Sequence, residues 1–300
     1  MTFNGPPKPA QEKPPEIETP EYWKENLPFK SPQKLYELEF EFAKLMSGRL
    51  GVPLAEAVDQ YAPAVRNHIF TFDEDGDWHV TGLEEGVTDE NILEHAWARS
   101  LERHAERNSK PTPYHEERRG MSRFGCHYYN VKENDPSTIR VHFFNAEFEE
   151  EWVDGKDVST GPLAEQKMER RKHELTDMFR DIKTKHPEAK YVEGRSSLYS
   201  MKPKKGEDRA AYLRLYPPTY LVGDIDYDPE LWGQGTTVWG QFLGGNEKKP
   251  GEYGFKEKLV GPFMEKAREV PIERLADALP NPPRNAKGNI EDFYKFYGIT

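Results

Sequence analysis

The sequence has a single cysteine, no long apolar run and a shortage of basic residues, and each shortage excludes a class of protein. Cys126 is alone among 300 residues, so no disulfide can form within the chain. No run approaches the roughly 20 apolar residues of a membrane-spanning helix, and no charged-then-apolar leader is visible. We therefore expect a cytoplasmic protein without a membrane partner.

Positive charge is the scarcer of the two signs. The chain carries 42 Lys and Arg side chains against 53 Asp and Glu, which gives a net charge of −11. A surface of this sign repels a phosphate backbone over most of its area, so we expect no nucleic-acid partner. The totals indicate neither an oligomeric state nor a particular small-molecule or protein partner.

The motifs of several common enzyme classes are also missing. Residues 233–237 lack the lysine of a P-loop, residues 194–198 lack the second glycine of the hydrolase Gly-x-Ser-x-Gly turn, and no Gly-x-Gly-x-x-Gly follows a predicted strand. His142 and Glu147 lack the further histidines that a metal site of their spacing would need. We therefore predict no metal.

Two other features have plain structural interpretations. Residues 73–77 begin like a calcium-binding loop but lack its closing glutamate, and apolar residues flank them. They are therefore interpreted as the tip of a β-hairpin. Cys126 lies inside a predicted strand and is interpreted as a small core side chain rather than a nucleophile.

Large apolar and aromatic side chains are concentrated between residues 190 and 243. They form three runs, 190–203, 211–225 and 236–243, that are bounded by glycine and proline. Runs too short for helices are typical of buried strands, so we predict that the sheet is organised around them. Pro217 and Pro218 prevent a helix at this point and predict a rigid bend.

The remaining patterns predict helices, one hairpin and a tail. Six helices are predicted. The first begins at Ser31-Pro32 and ends at Ser47-Gly48, the second runs from about 53 to 68 with a break at Pro63, and the third begins at Thr88. The other three cover 162–185, 255–270 and 290–297. Strands 124–131 and 138–145 form the hairpin, and residues 280–289 form a linker. The predicted fold class is α/β (α+β), a mixed twisted sheet flanked by helices with an N-terminal helical region.

Four segments follow from these elements. Residues 1–30 hold many prolines and few aliphatics and are predicted to form a disordered arm. Residues 31–113 are the helical N-terminal region, 114–280 the α/β body, and 281–300 a tail with a short helix.

Two places in the body are candidates for a functional site. On the strand around residue 140, Ile139 and Val141 share one face and His142 lies on the other. A histidine between apolar neighbours is either satisfied within the sheet or faces a cleft. The segment 159–162, which reads STGP, precedes a helix, and it is either an ordinary cap or a place for an anion.

Two resemblances add to this picture. With 196–199 (SSLY), 212–220 (YLRLYPPTY) and 239–243 (WGQFL), the chain resembles an uncharacterised bacterial family that has a Ser-Trp-Leu-Tyr-like element before a Tyr-Arg-Arg-Leu-Phe-Pro-Pro-like one. More distantly, the order of the strand 139–144, a long helix opened by residues 161–163, and the SSLY strand resembles the C-terminal half of GNAT-like acyltransferases. The resemblance covers less than half of the chain.

The second resemblance implies a splayed sheet and a helix N-terminus that hold acetyl-CoA or another acyl-CoA. It implies that the turn before the helix, with Thr160 and Gly161, receives the phosphates of the coenzyme. Arg195 and Arg214 are suited to clamp a carboxylate or phosphate and are the other predicted cofactor residues, although Arg214 among aromatic residues is as easily a structural stack. The resemblance also implies that His142 or Tyr199 handles the proton of the acceptor.

The closest string to the family's phosphate loop, residues 241–246, lacks its final glycine or alanine and is not followed by a predicted helix. Two functions therefore stay open. One is a GNAT-like acyltransferase with an unknown acceptor, and the alternative is a non-catalytic small-molecule or protein-binding module of the same fold.

Overall fold

A computed structural model describes most of the chain. The described residues are 32–72, 80–109, 123–125, 127–143, 152–153, 156–157, 162–203, 211–233, 235–244 and 254–300. Several predictions concern residues outside these ranges: the arm 1–30, the hairpin tip 73–77, Cys126, Thr160 and Gly161.

The described part of the chain contains helices, strands and 3₁₀ turns. The helices are α1 Gln33–Leu50, α2 Leu54–Tyr61, α3 Pro63–Arg66, α4 Ile92–Ser109, α5 Pro162–Lys185, α6 Gly235–Val238, α7 Val260–Glu269 and α8 Ile290–Phe296. The strands are β1 Phe70–Phe72, β2 Val80–Leu83, β3 Arg123–Phe124, β4 His127–Lys132, β5 Asp135–Phe143, β6 Trp152–Val153, β7 Lys156–Asp157, β8 Tyr191–Ser196, β9 Leu221–Ile225, β10 Leu243–Gly244, β11 Gly254–Phe255 and β12 Arg284–Asn289. The 3₁₀ helices are Ser197–Ser200, Ala211–Leu215, Pro229–Gly233, Trp239–Phe242, Glu257–Leu259 and Ile272–Ala278.

The main sheet has six strands in the order β3-β4-β5-β8-β12-β9. β5 and β8 are parallel and are connected through α5, whereas the other neighbours are antiparallel. A parallel pair needs such a crossover, usually a helix. The mixed sheet with its helices confirms the predicted α/β class, and α5 has the predicted bounds.

The chain builds two hydrophobic cores. One joins α1–α4 to residues 231–279, and at its centre the ring of Phe42 stacks on Trp232 at 4.8 Å and meets Trp239 edge-on at 5.3 Å. The other covers one face of the sheet with α5, α8 and the turns around residues 199–220. The predicted N-terminal helices therefore pack against a late segment of the chain.

Helix boundaries differ from the predictions at the end of α1 and at two starts, since α4 begins at Ile92 rather than Thr88 and α7 at Val260 rather than 255. Helix α1 continues past Ser47 and Gly48 and ends at Gly51, whose φ of 69° is in the left-handed region and whose N–H donates to the Ser47 carbonyl. Pro63 separates α2 from α3, as predicted. β1 and β2 pair antiparallel, which confirms the hairpin strands beside the acidic turn.

Two of the predicted buried strands are instead helical turns. Residues 211–215 and 239–242 form 3₁₀ helices, and 235–238 forms a short α-helix, so the strand prediction there was wrong. The predicted SSLY strand is also wrong beyond Ser196, because Ser197–Ser200 forms a 3₁₀ helix. The large side chains in these runs recur at three or four residues, as in the pairs Trp239 with Phe242 and Tyr212 with Tyr216. That spacing places them on one side of a helical turn, where they enter the core together. The run 221–225 is a strand, as expected.

A central strand lies where the sequence predicts a linker. β12 pairs with β8 on one side and β9 on the other. Only Ala286 and Gly288 face the core, because large rings occupy the space above them: a Cβ on Gly288 would lie 2.9 Å from Phe293 Cε2. A strand that contributes only small side chains to the core has no apolar run for sequence analysis to detect.

A buried carboxyl holds α3 in place. Glu39 on α1 is 1% exposed, and its Oε2 accepts a hydrogen bond from the Ala64 N–H at 2.6 Å. Burial raises the pKa of Glu39 to about 8, opposed by the backbone donors of Ala64 and Val65 and by the charge of Arg66. The folded protein thus retains this proton above the ordinary pKa of 4.5.

The stability of the protein should fall as pH rises from about 4.5 through about 8 because Glu39 must ionise while buried. Its folded-state pKa is raised, so its contribution is fully present below 4.5 and is lost as pH rises through 8. In Glu39→Gln this slope should be absent, and at pH 9 the variant should be more stable than the native chain by about 2–4 kcal/mol. Urea unfolding at pH 5 and pH 9 measures the difference. Glu41→Gln, at an exposed position of the same helix, is the control and should keep the native slope; equal slopes in native chain and Glu39→Gln would contradict the prediction.

Candidate functional site

The candidate site is the place where the pairing between the two parallel strands ends. β5 and β8 pair at three positions, Thr138 with Tyr191, Ile139 with Val192, and Arg140 with Glu193. No further pairing between them is recorded in the described residues, so 141–143 of β5 and 194–196 of β8 continue without pairing to each other. We call these two segments together the wedge.

Tyrosine hydroxyls lie against the wedge on the side of α5. A Cβ on Gly194 would be 2.4 Å from the hydroxyl of Tyr199, 2.4 Å from that of Tyr220 and 3.4 Å from Val141 Cγ2. Gly194 is the first residue of β8 after the paired stretch, so the two hydroxyls occupy the space that a side chain would fill. They bond to each other at 3.1 Å.

These tyrosines belong to a buried cluster. Tyr212 and Tyr216 form a second hydroxyl pair at 2.7 Å, and the rings of Tyr199 and Tyr220 meet edge-on at 5.9 Å. Burial raises the pKa of Tyr199 to about 12, opposed by the hydrogen bond with Tyr220, and burial raises the pKa values of Tyr212, Tyr216 and Tyr220 well above their usual range. All four are therefore neutral at neutral pH and carry a proton that can be donated.

His142 lies on β5, on the face of the sheet opposite the tyrosine hydroxyls. Its ring stacks on Tyr128 of β4 with centroids 4.6 Å apart and planes 8° apart, and its Nε2 is 2.5 Å from Asn130 Oδ1. Burial, and then the nearby charge of Arg140, lower the pKa of His142 to about 4. The imidazole is neutral at neutral pH.

The two predicted catalytic residues thus flank the wedge from opposite faces of the sheet. Tyr199 is beside Gly194 on the α5 face, whereas His142 shares the other face with Arg195 of β8. The predicted cofactor residues are arranged differently. The Arg195 guanidinium binds Asp226 at 2.7 Å and Asp228 at 3.1 Å, and Arg214 lies exposed on the 3₁₀ helix Ala211–Leu215.

The open face of the sheet carries a registered row of polar side chains. Asn130 of β4, Arg140 of β5, Glu193 of β8 and Lys287 of β12 are successive partners across four strands. Glu193 accepts from Lys287 at 3.0 Å and from Lys132 at 2.9 Å. Arg140 and Lys287 are exposed, and Lys287 is paired with Glu193, whereas Arg140 makes no ion pair with the described residues.

Sequence reasoning missed Gly194, Tyr220 and Asn130 as site residues. Gly194 could have been noted as a glycine inside a predicted strand, which often marks close approach of another group. Asn130 is brought to His142 by a register that a β-bulge shifts between Val131 and Lys132. Counting residue pairs from the turn without this bulge would not have placed Asn130 beside His142.

Neither a metal cluster nor a membrane helix is part of this arrangement. Across the described ranges, no three or more His, Cys, Asp or Glu side chains lie close enough to hold a metal ion. Of the helices in the described residues, none combines the length and the apolar character needed to cross a membrane.

Comparison with known proteins adds no relative to this description. The chain matches no model of a protein family, no curated protein and no solved structure.

Proposed function

We propose that this protein transfers an acyl group from acetyl-CoA or another acyl-CoA to a small-molecule acceptor, as its resemblance to GNAT-like acyltransferases implies. The observation that carries the proposal is the wedge. Two parallel strands joined by α5 pair at three positions, and their pairing ends beside a buried tyrosine hydroxyl. The resemblance implies two strands joined by a long helix, with a splayed sheet and the helix N-terminus holding the coenzyme, and the order of β5, α5 and β8 supports the proposal.

The wedge offers suitable groups for acyl transfer. The acceptor nitrogen or oxygen would bond to the thioester carbonyl carbon, the carbon–sulfur bond would break, and the proton lost by the acceptor would end on the released thiol. His142, neutral at neutral pH, can accept that proton transiently on one face. Tyr199, on the other face, can donate a hydrogen bond to the carbonyl oxygen or the leaving sulfur.

The first experiment is binding of the acyl donor. The purified chain is heated with acetyl-CoA, CoA, ATP or NADH, and its unfolding temperature is recorded for each ligand. We expect stabilisation by both CoA compounds and by neither ATP nor NADH, worth about 2.7 kcal/mol at a hundredfold excess over Kd. Release of free thiol from acetyl-CoA with a panel of amines and alcohols then tests catalysis.

The outcomes separate the two candidate functions. Absence of any shift with CoA compounds would contradict acyl-CoA binding and end the acyltransferase proposal. A shift without thiol release from any acceptor would favour the non-catalytic binding module, which the incomplete phosphate-loop string 241–246 supports. A cytoplasmic location remains part of the proposal.

A further inference from the structure

The amide of Asn130 has a fixed orientation. Its Nδ2 donates to the carbonyl of Val131 at 3.0 Å, so its Oδ1 is the atom that faces His142. An amide oxygen only accepts hydrogen bonds, so Nε2 of His142 must carry the proton in this contact. The neutral imidazole then has its lone pair on Nδ1.

The lone pair on Nδ1 is available to a ligand. Within the described part of the chain Nδ1 has no hydrogen-bond partner, and stacking on Tyr128 holds the plane of the ring. The charged groups on the same face are Arg140 on its own strand and the ion pair between Arg195 of β8 and Asp226, which follows β9. Burial of the ring, and then the positive charge of Arg140, oppose protonation of the imidazole, so Nδ1 remains an acceptor.

Arg140 lies two residues before His142 on the same face of β5, about 6.6 Å away along the strand. Its side chain is exposed. Neighbouring Lys132 and Lys287 bind Glu193, whereas Arg140 makes no ion pair with the described residues. A planar guanidinium in this position can bind a carboxylate or phosphate through two parallel hydrogen bonds.

We propose that His142 and Arg140 form the acceptor subsite of the wedge, for an amine or alcohol that also bears a carboxylate or phosphate, and that Asn130 is its positioning residue. The inference rests on the proposed function and names the acceptor class. The amine or hydroxyl donates to His142 Nδ1, and the anionic group lies on Arg140. Asn130 acts through His142 by fixing its tautomer.

The tautomer is tested first, without any acyl donor. Long-range proton–nitrogen correlation spectra of the labelled full chain distinguish protonated from unprotonated ring nitrogens, and His142→Gln assigns the signal. We expect the Nε2–H tautomer from pH 6 to pH 8 in the native chain and a mixture of tautomers in Asn130→Ala. An Nδ1–H signal in the native chain would overturn the positioning role.

The acceptor class is tested with β-alanine, γ-aminobutyrate, ε-aminocaproate and their methyl esters, again without acyl donor. We expect at least one free acid to shift the His142 Nδ1 signal and to bind about tenfold more tightly than its ester. Arg140→Gln should remove this preference. Lys287→Gln, which removes one positive charge from the same face, should preserve it.

Three results would overturn the subsite: no shift of His142 with any acid, equal binding of acid and ester, or equal loss in Arg140→Gln and Lys287→Gln. Because neither measurement uses acyl-CoA, these failures are distinguishable from a failure of the proposed function. If the protein prefers the acids but is not stabilised by CoA, the anion subsite is supported and the acyltransferase proposal is contradicted.

Discussion

Replacing Gly194 with alanine should destabilise the protein by about 1–3 kcal/mol, the range observed when atoms are forced into a packed core. The new Cβ would lie 2.4 Å from two tyrosine hydroxyls and 3.4 Å from Val141. Tyr199 and Tyr220 are both buried in the core that also contains α5, so neither ring has free space to withdraw into. Urea unfolding monitored by far-ultraviolet circular dichroism measures the loss.

The control for this prediction is Gly223→Ala on β9. There the added Cβ meets only the Asn285 carbonyl oxygen at 3.5 Å, an ordinary contact, so little change is expected. A second test removes the two hydroxyls. In a chain that also carries Tyr199→Phe and Tyr220→Phe, Gly194→Ala should lower the free energy of unfolding by less than it does in the native chain. Equal costs in both backgrounds would show that the hydroxyls do not define this space.

Replacing Tyr199 with phenylalanine should lower the rate constant for acyl transfer by about 10²-fold, the lower end of the effect of a positioned proton donor. The substitution preserves the ring and removes only the hydroxyl beside the wedge. Tyr220 would lose its partner at 3.1 Å, which should cost about 1–3 kcal/mol of stability. Single-turnover thiol release, measured well below the unfolding temperature, separates the rate from the stability.

Tyr216→Phe is a matched control. It also removes one hydroxyl of a buried pair, the 2.7 Å bond with Tyr212, but Gly194 and the wedge are in contact with Tyr199 and Tyr220 instead. Its stability loss should be similar and its transfer rate close to that of the native chain. A similar loss of rate in both variants would show that Tyr199 contributes only to packing.

Much of the architecture could be read from local patterns. The bounds of α5, the break at Pro63 and the short last helix follow from capping residues, proline and spacing of apolar side chains, which act within a few residues along the chain. The division of faces on β5 follows in the same way, because strand side chains alternate regardless of their neighbours. These features need no knowledge of distant contacts.

The failures share a different cause. β12 contributes only Ala286 and Gly288 to the core, and its place in the sheet depends on rings from Tyr220 and Phe293 that arrive from other elements. The 3₁₀ turns that hold Tyr212 and Trp239 were predicted as strands because a short aromatic run suits either structure, and only packing selects one. Propensity was in each case overridden by tertiary contacts.

The sequence by itself determined which residue types were available to a site: a histidine on the polar face of a strand, a buried tyrosine after the next strand, and arginines near both. Only the tertiary structure decided which of them meet. Lys132 pairs with Asp135 at the turn, whereas the bulge beside it shifts the rest of the hairpin and brings Tyr128 opposite His142 and Asn130 opposite Arg140. A shift of strand register changes every cross-strand neighbour at once, and its energy depends on the whole sheet rather than on any local pattern.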